Sequence, residues 1–184
     1  MNVSKKFIGI IATALVVVVN SSAWAEDLSL PVRNSPIPLT TNSVPHVQID
    51  VEAAPELTAE LLRRVANIPG VEIRETVISL PGAKGLWLRG DMPLARPDVI
   101  VGGREFAHIH PDGSLHASLP DDFARSAVDA GWATKHPWAD KRPGWSGFVM
   151  IYSVQLEEEL DVIFQLVLAS YNFVTGKSIT ATDN

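Results

Sequence analysis

Histidines are concentrated in one short stretch of the sequence, EFAHIHPDGSLHASLP at residues 105–120. His108, His110 and His116 lie in this stretch and His136 follows it, so four of the five histidines fall between positions 108 and 136. Imidazole titrates near neutral pH and serves as an acid, a base, a hydrogen-bonding group or a metal ligand. The spacing therefore indicates proton transfer, ligand binding or metal binding, unless the histidines only stabilise a folded hairpin.

The histidine stretch is predicted to fold as a β-hairpin. Pro111-Asp112-Gly113 has the residues of a three-residue loop, because proline fixes the first turn position and glycine accepts the left-handed third one. This loop places His108 opposite His116, and side chains alternate along each strand. The residues predicted on the histidine face are Phe106, His108, His110, Ser114, His116 and Ser118. The other face suits a packed core, with Ala107, Ile109, Leu115, Ala117 and Leu119.

The histidine face admits three interpretations. A structural one treats the imidazoles as satisfied polar groups, although two cations directly opposite each other would repel. A second makes His108, His110 and His116 a metal site, since imidazoles about 5 Å apart across a strand pair can share one divalent ion. The third makes the histidines acid, base and hydrogen-bonding groups around an organic ligand. Aromatic side chains would then wall that ligand, namely Phe106, Trp132, Trp138 and Trp145.

The rest of the sequence predicts the elements that position this face. Helices are predicted over 55–68, 121–130 and 156–175 from apolar spacing, caps and stop signals. Strands are predicted over 71–80, 85–90 and 148–154 besides the hairpin, with an irregular loop over 132–147. The fold class is therefore α+β: a single domain with an antiparallel sheet and helices packed on one face. The acidic run Glu157–Glu159 is predicted to be solvated at the N-terminus of the last helix.

The first 25 residues have the features of a secretory signal peptide. Lys5 and Lys6 precede an apolar run over 7–19, and Ala23-Trp24-Ala25 has the small-x-small pattern of a cleavage site. The run is shorter than the roughly 20 residues that span a bilayer. We therefore expect cleavage, export to the periplasm or the medium, and no membrane attachment afterwards. Residues 26–47 contain four prolines and are predicted to form an extended leader over the surface, and the α+β domain is predicted to occupy 48–184.

Composition excludes several classes of site. The sequence has no cysteine, which excludes disulfides, thiolate metal sites and cysteine nucleophiles. Without Lys5 and Lys6, 13 basic residues would face 21 acidic ones, and the resulting net charge of −8 disfavours nucleic-acid binding. The basic residues are scattered and form no stripe. We therefore expect no nucleic acid as a partner.

Three segments in order, REFAHIHPDGSLHASL, AGWATKHPWA and EEELDVIFQLVLASYNFVTG, resemble the fungal luciferase family and its bacterial relatives. The resemblance covers residues 104–176. The motif positions are His108, His110, His116, Gly131, Trp132, His136, Pro137 and Glu157–Glu159. The resemblance implies a luciferase-like fold and pocket. It also implies chemistry in which dioxygen adds to an electron-rich enolic or phenolic molecule without an organic cofactor.

From this resemblance we expect a small phenolic or enolic substrate and dioxygen as partners. No cofactor is expected or, in the metal interpretation, a divalent ion on the three hairpin histidines. His108 and His116 would form the acid and base pair, and His110 and His136 would orient the ligand. The predicted substrate-binding residues are Phe106, Trp132, Trp138 and Arg104.

Two departures from the family pattern bear on light emission. The turn after His110 is shorter than in the light-emitting proteins, and Val154-Gln155 stand where the family has Pro-Arg. The second departure removes a cation that could pair with an anionic ligand. We therefore expect an oxygenase that does not emit light. The alternative from a different class is a non-enzymatic binding or structural domain.

Overall fold

The computed structural model of this chain describes residues 30–183, and its centre is a six-stranded antiparallel sheet. The strands within that range are β1 Leu39–Thr40, β2 Gln48–Ile49, β3 Val71–Glu75, β4 Lys84–Leu88, β5 Glu105–Ile109, β6 Leu115–Ser118, β7 Ala133–Lys135 and β8 Phe148–Ile151. The main sheet has the order β3-β4-β5-β6-β8-β7, and β1 pairs with β2 in a separate ribbon. The signal-peptide prediction falls on residues 1–25, which lie outside the described residues.

The α-helices of the described range pack against one face of this sheet. They are α1 Pro55–Ala66, α2 Asp121–Asp129 and α3 Leu160–Thr175. All three helices contribute buried apolar side chains to one core, which also contains the apolar face of the hairpin. Helix α3 ends at Gly176, whose φ of 73° is the left-handed conformation that favours glycine. The predicted α+β class, with an antiparallel sheet and helices on one face, is confirmed.

The hairpin has the predicted register. His108 pairs with His116 across β5 and β6, and Ala107 pairs with Ala117. Gly113 has a φ of 85°, and its N–H donates to the carbonyl of His110 at 3.0 Å. The loop residues therefore set the pairing that brings two histidines directly opposite each other.

A β-bulge in β5 changes the face of the residue before Ala107. The two neighbours of Phe106 pair with consecutive residues of β4, so Phe106 itself has no partner there. Its ring turns into the helix-side core and meets Tyr171 at a centroid distance of 6.1 Å. The prediction that Phe106 lies on the histidine face is therefore wrong. Glu105 takes that place, and its carboxyl group reaches His108.

Several predicted boundaries also differ. Strand β3 ends at Glu75, since the following residues turn inward and the Val77 N–H donates to Glu105. The segment predicted as an irregular loop contains β7, an edge strand of the main sheet. The last helix begins at Leu160, after a 3₁₀ turn over Glu157–Glu159.

The leader is more deeply integrated than predicted. Arg33 is buried and forms a two-point ion pair with Glu159, at 2.9 and 3.2 Å. The Arg33 guanidinium also lies 5.6 Å from the ring centroids of both Trp132 and Tyr152. The interpretation of Glu157–Glu159 as a solvated acidic run is therefore wrong for Glu159, because that carboxyl group neutralises a buried cation. No helix among residues 30–183 is long and apolar enough to cross a membrane.

Candidate histidine site

All five histidines of the sequence line one pocket of about 250 Å³. Each histidine is only 4–5% exposed. His116 is at the centre, since its ring centroid lies between 4.6 and 5.3 Å from those of the other four. The remaining wall is mostly apolar or aromatic, with Val44, Pro45, Ile78, Ser79, Leu80, Val101, Trp138 and Phe148. The predicted catalytic histidines are therefore brought together, and His46 joins them.

Each histidine is delivered by a defined part of the fold. His108 and His116 are a cross-strand pair, and His110 follows β5 directly. His136 follows β7, where its backbone N–H donates to the Phe148 carbonyl at 3.0 Å. His46 comes from the leader, two residues before β2. The site thus combines the central strands β5 and β6, the edge strand β7 and the leader, on the sheet face that the helices leave uncovered.

Two hydrogen bonds link three imidazoles in a chain, and the Glu105 carboxyl group lies beside the first of them. Glu105 Oε1 lies 3.2 Å from His108 Nδ1, and His108 Nε2 lies 3.0 Å from His116 Nδ1. His116 Nε2 lies in turn 3.2 Å from His46 Nδ1. A carboxyl oxygen carries lone pairs, so the favourable arrangement puts a His108 hydrogen on Nδ1, facing Glu105. With one N–H on each ring, the His116 Nδ1–H then donates to His108, the His46 Nδ1–H donates to His116, and His46 Nε2 remains an acceptor.

Glu105 is held firmly at the end of this chain. Its side chain is fully buried, and it accepts hydrogen bonds from the Thr76 hydroxyl at 2.7 Å and the Val77 N–H at 2.9 Å. Gly85 of β4 pairs with His108 of β5, and a Cβ at Gly85 would lie 3.0 Å from the Glu105 carboxyl carbon. The glycine therefore leaves the space in which the carboxyl group meets His108.

His110 is fixed as a second acceptor. The Ser114 hydroxyl donates its single hydrogen to Asp112 at 2.7 Å, so the Ser114 oxygen accepts from His110 Nδ1 at 3.0 Å. The neutral ring of His110 then has its lone pair on Nε2. This nitrogen can take a proton or bind a metal ion.

His136 has the other tautomer, with its hydrogen on Nε2 instead of Nδ1. The backbone N–H of Trp138 donates to His136 Nδ1 at 3.0 Å, so the neutral ring carries its hydrogen on Nε2. The histidine cluster therefore combines acceptor nitrogens on His46 and His110 with a donor on His136. A ligand with one acidic hydroxyl and one oxygen acceptor would be matched by this set.

Burial keeps these imidazoles neutral. Desolvation lowers the pKa of His110 to about 4, with the neighbouring His108 charge as the next cause. Desolvation likewise lowers the pKa of His136 to about 3, with His46 next. The pKa of His116 is held well below its usual value for the same reason, and that of His46 is also lowered by burial. At neutral pH these four rings accept or donate hydrogen bonds as uncharged groups.

Acid is expected to destabilise the fold through these groups. Well above pH 6.5, His46, His110, His116 and His136 are neutral in both the folded and the unfolded chain, so their lowered pKa values do not affect stability there. Below pH 6.5 the unfolded chain binds protons at histidines that stay unprotonated in the folded chain. The free energy of unfolding therefore falls as the pH is lowered from 6.5 to about 4, where His110 itself titrates in the folded chain. His110 alone should account for about 3 kcal/mol of this decrease in the free energy of unfolding.

Urea unfolding of chelator-treated protein at several pH values measures this loss. The His110→Gln variant should show a shallower decline of the unfolding free energy between pH 6.5 and 4 than the wild type. If the free energy of unfolding falls equally steeply with pH in both proteins, His110 is not a neutral imidazole held by burial in the folded chain.

The other predicted site residues divide between the pocket and the rest of the domain. Trp138 lines the pocket, and its ring centroid lies 5.5 Å from that of His136. Trp132 packs in the helix-side core and donates its indole N–H to a leader carbonyl. Arg104 donates to the backbone carbonyl of Leu88, at the end of β4, and to that of Met92. Trp132, Arg104 and Phe106 are therefore not pocket residues, because each is used in packing or in holding the backbone.

Sequence reasoning missed His46 and Glu105. His46 lies in the proline-rich leader, and only its residue type, the fifth histidine, could have drawn attention to it. Strict alternation from His108 would place Glu105 on the apolar core face, where a carboxyl group is costly. A glutamate at a position predicted to face the apolar core was therefore the one indication in the sequence that β5 contains a bulge.

A larger surface groove of about 880 Å³ lies between α1, α3 and the C-terminal segment. Its charged residues are already paired, Arg63 with Glu60 and Arg64 with both Glu60 and Asp161. No histidine lines it. The histidine pocket is therefore the stronger candidate for chemistry.

The cluster offers two sets of three nitrogens that could hold a metal ion. One set is His108, His110 and His116, and the other is His46, His116 and His136. In each set the possible ligand atoms lie within 4.8 Å of one another. The two sets share His116, so the hydrogen-bond partners of the remaining nitrogens decide between them.

The fold and the site together define an α+β domain with a histidine-lined pocket on the open face of its sheet. Residues 103–170, which contain four of the five histidines, match the Luciferase domain family. Luciferases of Armillaria gallica and Armillaria mellea are each 30% identical to the chain, over 83% and 85% of its length. The matched segment, residues 103–170, belongs to the luciferase-domain family.

The relatives are longer proteins. The matched region spans 63% of the Armillaria gallica luciferase, 66% of that from Armillaria mellea and 63% of that from Armillaria ostoyae. No solved structure is significantly similar to the chain.

Proposed function

We propose that the chain binds a small phenolic or enolic molecule in the histidine pocket and adds dioxygen to it without an organic cofactor. The observation that carries this proposal is the combination of acceptor nitrogens on His46 and His110 with a donor on His136 in one buried pocket. An enolic hydroxyl can lose its proton to an acceptor, and the anion then accepts a hydrogen bond from the donor.

The dimensions of the pocket favour a small ligand. Its volume of about 250 Å³ is below the range of about 300–1,000 Å³ that is common for small-molecule sites. Apolar groups and the flat faces of Trp138 and Phe148 suit a planar ring. We therefore expect a molecule with one ring or a compact pair of rings.

The proposed reaction begins with proton transfer. His46 Nε2 takes the hydroxyl proton of the ligand, and the hydrogen-bonded chain can pass a proton through His116 to His108, beside Glu105. The His136 Nε2–H then binds the enolate oxygen. His136 remains neutral and available as a donor at pH 7, because burial holds its pKa near 3. This amends the predicted roles, since His108 and His116 relay the proton that His46 accepts.

Dioxygen is the second reactant. The enolate carbon forms a bond to one oxygen atom, two electrons pass from the ligand to dioxygen, and the distal oxygen takes back the proton to give a hydroperoxide. Membership of residues 103–170 in the luciferase-domain family supports oxygen chemistry at this pocket. Because Val154-Gln155 stand where the family has Pro-Arg, we propose that the reaction proceeds without light.

Oxygen uptake tests this function. Chelator-treated protein is incubated with a panel of hydroxypyrones and catechols, and dissolved oxygen and light are recorded together. We expect uptake above the protein-free rate with at least one compound and no light above background. Ligand binding without oxygen uptake would instead support the alternative of a non-enzymatic binding domain.

We further propose export by the N-terminal segment. The mass of the protein recovered outside the cytoplasm should correspond to a chain that starts at Glu26. Recovery of the full-length chain in the cytoplasm alone would contradict this.

A further inference from the structure

We propose that His108, His110 and His116 hold one divalent first-row transition-metal ion in the pocket. Imidazole nitrogens bind such ions at about 2.0–2.1 Å, so two ligands of one tetrahedral ion lie about 3.3 Å apart. The separation of 3.0 Å between His108 Nε2 and His116 Nδ1 is close to that value. The possible ligand atoms of all three residues lie within 4.8 Å of one another, so a small closure of His110 completes the set.

The outward nitrogen of each of these ligands faces a group that can accept its hydrogen. His108 Nδ1 faces the Glu105 carboxyl group at 3.2 Å. His110 Nδ1 donates to Ser114 at 3.0 Å. His116 Nε2 lies 3.2 Å from His46 Nδ1, which accepts once the hydrogens of both His116 and His46 move to Nε2. Metal-ligating imidazoles need such acceptors, because these fix the tautomer and the orientation of the ring.

The other set of three nitrogens lacks this arrangement. His136 Nδ1 is occupied by the Trp138 N–H, so its Nε2 carries the hydrogen and has no lone pair for an ion. A metal ion on His136 would require either the loss of that backbone hydrogen bond or an imidazolate. The hydrogen bonds therefore select His108, His110 and His116 over the set that contains His136.

Metal binding and the proton relay belong to two forms of the protein, and the relay operates in the metal-free form. The ion would replace the hydrogen between His108 Nε2 and His116 Nδ1, which is the middle step of the proposed proton transfer. Three nitrogen ligands also leave coordination positions for oxygen atoms of an enolic ligand, and this last consequence rests on the proposed function. The metal site itself stands without it.

Cobalt titration tests the site with no substrate present. Chelator-treated protein is titrated with Co²⁺, and binding is followed through the visible absorption of the ion. We expect one equivalent to bind the wild type. Binding should be lost in His110→Gln, weakened on the order of 10- to 100-fold in Glu105→Gln, and unchanged in His136→Gln. Circular dichroism and thermal unfolding show that each variant is folded.

Two results would overturn the inference. One is a folded wild-type protein that binds no Co²⁺. The other is a His136→Gln variant that loses cobalt as completely as His110→Gln does, since this would place the ion on the other set. The titration contains no enolic compound and measures no oxygen uptake. Either result therefore bears on the metal site alone, and the proposed oxygenation is tested separately by oxygen uptake.

Discussion

Replacement of His116 by glutamine is expected to lower the oxygen-uptake rate by about 10² to 10⁴-fold, the range that general acid and base groups contribute. His116 bonds on one side to His108 and on the other to His46, so it is the middle of the proton path. A glutamine amide can still donate on one side and accept on the other. It cannot take up a proton at neutral pH, so the hydrogen bonds survive in part while proton transfer stops.

Stability separates this result from simple loss of structure. The melting temperature of His116→Gln should stay within roughly 4 °C of the wild type, which corresponds to about 1 kcal/mol for a domain of this size. Tyr171→Phe is a matched control: it removes a partly buried 2.8 Å hydrogen bond from the Tyr171 hydroxyl to the Pro69 carbonyl, away from the pocket. That variant should keep the oxygen-uptake rate. An unchanged rate in His116→Gln, or a fall of the rate only together with unfolding, would contradict the catalytic role.

Arg33→Met is expected to lower the free energy of unfolding by about 3–5 kcal/mol, because it leaves a buried carboxyl group without its partner. The Arg33 side chain has no exposed surface and that of Glu159 is 3% exposed. Arg33 also donates to the Ser153 carbonyl at 3.0 Å. Its loss should loosen the leader, which carries His46, and so reduce ligand binding as well as stability.

A surface pair provides the comparison. Lys135 and Asp140 form an ion pair at 2.8 Å with side chains that are 52% and 76% exposed. Lys135→Met should therefore change the unfolding free energy by less than about 1 kcal/mol. Urea unfolding of both variants measures the difference. A loss below 1 kcal/mol in Arg33→Met would show that the leader is not anchored by this pair.

Local patterns were sufficient to predict the hairpin and the helices. Pro111-Asp112-Gly113 fixes the turn, and the turn fixes which histidines face each other. The helices followed from apolar spacing, because each buries one stripe against the same sheet face. These features depend on residues that are near neighbours in the sequence.

The predictions that were wrong concern residues whose positions depend on contacts between segments distant in the sequence. The bulge at Phe106 is set by pairing with β4, and strict alternation within β5 cannot reveal it. Trp132 was expected in the pocket, but Arg33 and the leader cover it on the core side. His46 reaches the other histidines from a segment that local composition describes only as extended. Four of the five pocket histidines were identified from the sequence, whereas the polarity of their hydrogen bonds required the fold.

Both the proposed proton transfer and the choice of metal ligands depend on the position of the hydrogen on each imidazole. Long-range ¹H–¹⁵N NMR of histidine-labelled, chelator-treated protein at pH 8 reports this position for every ring. We predict hydrogen on Nδ1 for His46, His108, His110 and His116, and on Nε2 for His136 alone. Hydrogen on Nδ1 of His136, or rapidly exchanging tautomers at His110 and His116, would contradict both the ligand-binding polarity and the choice of metal ligands.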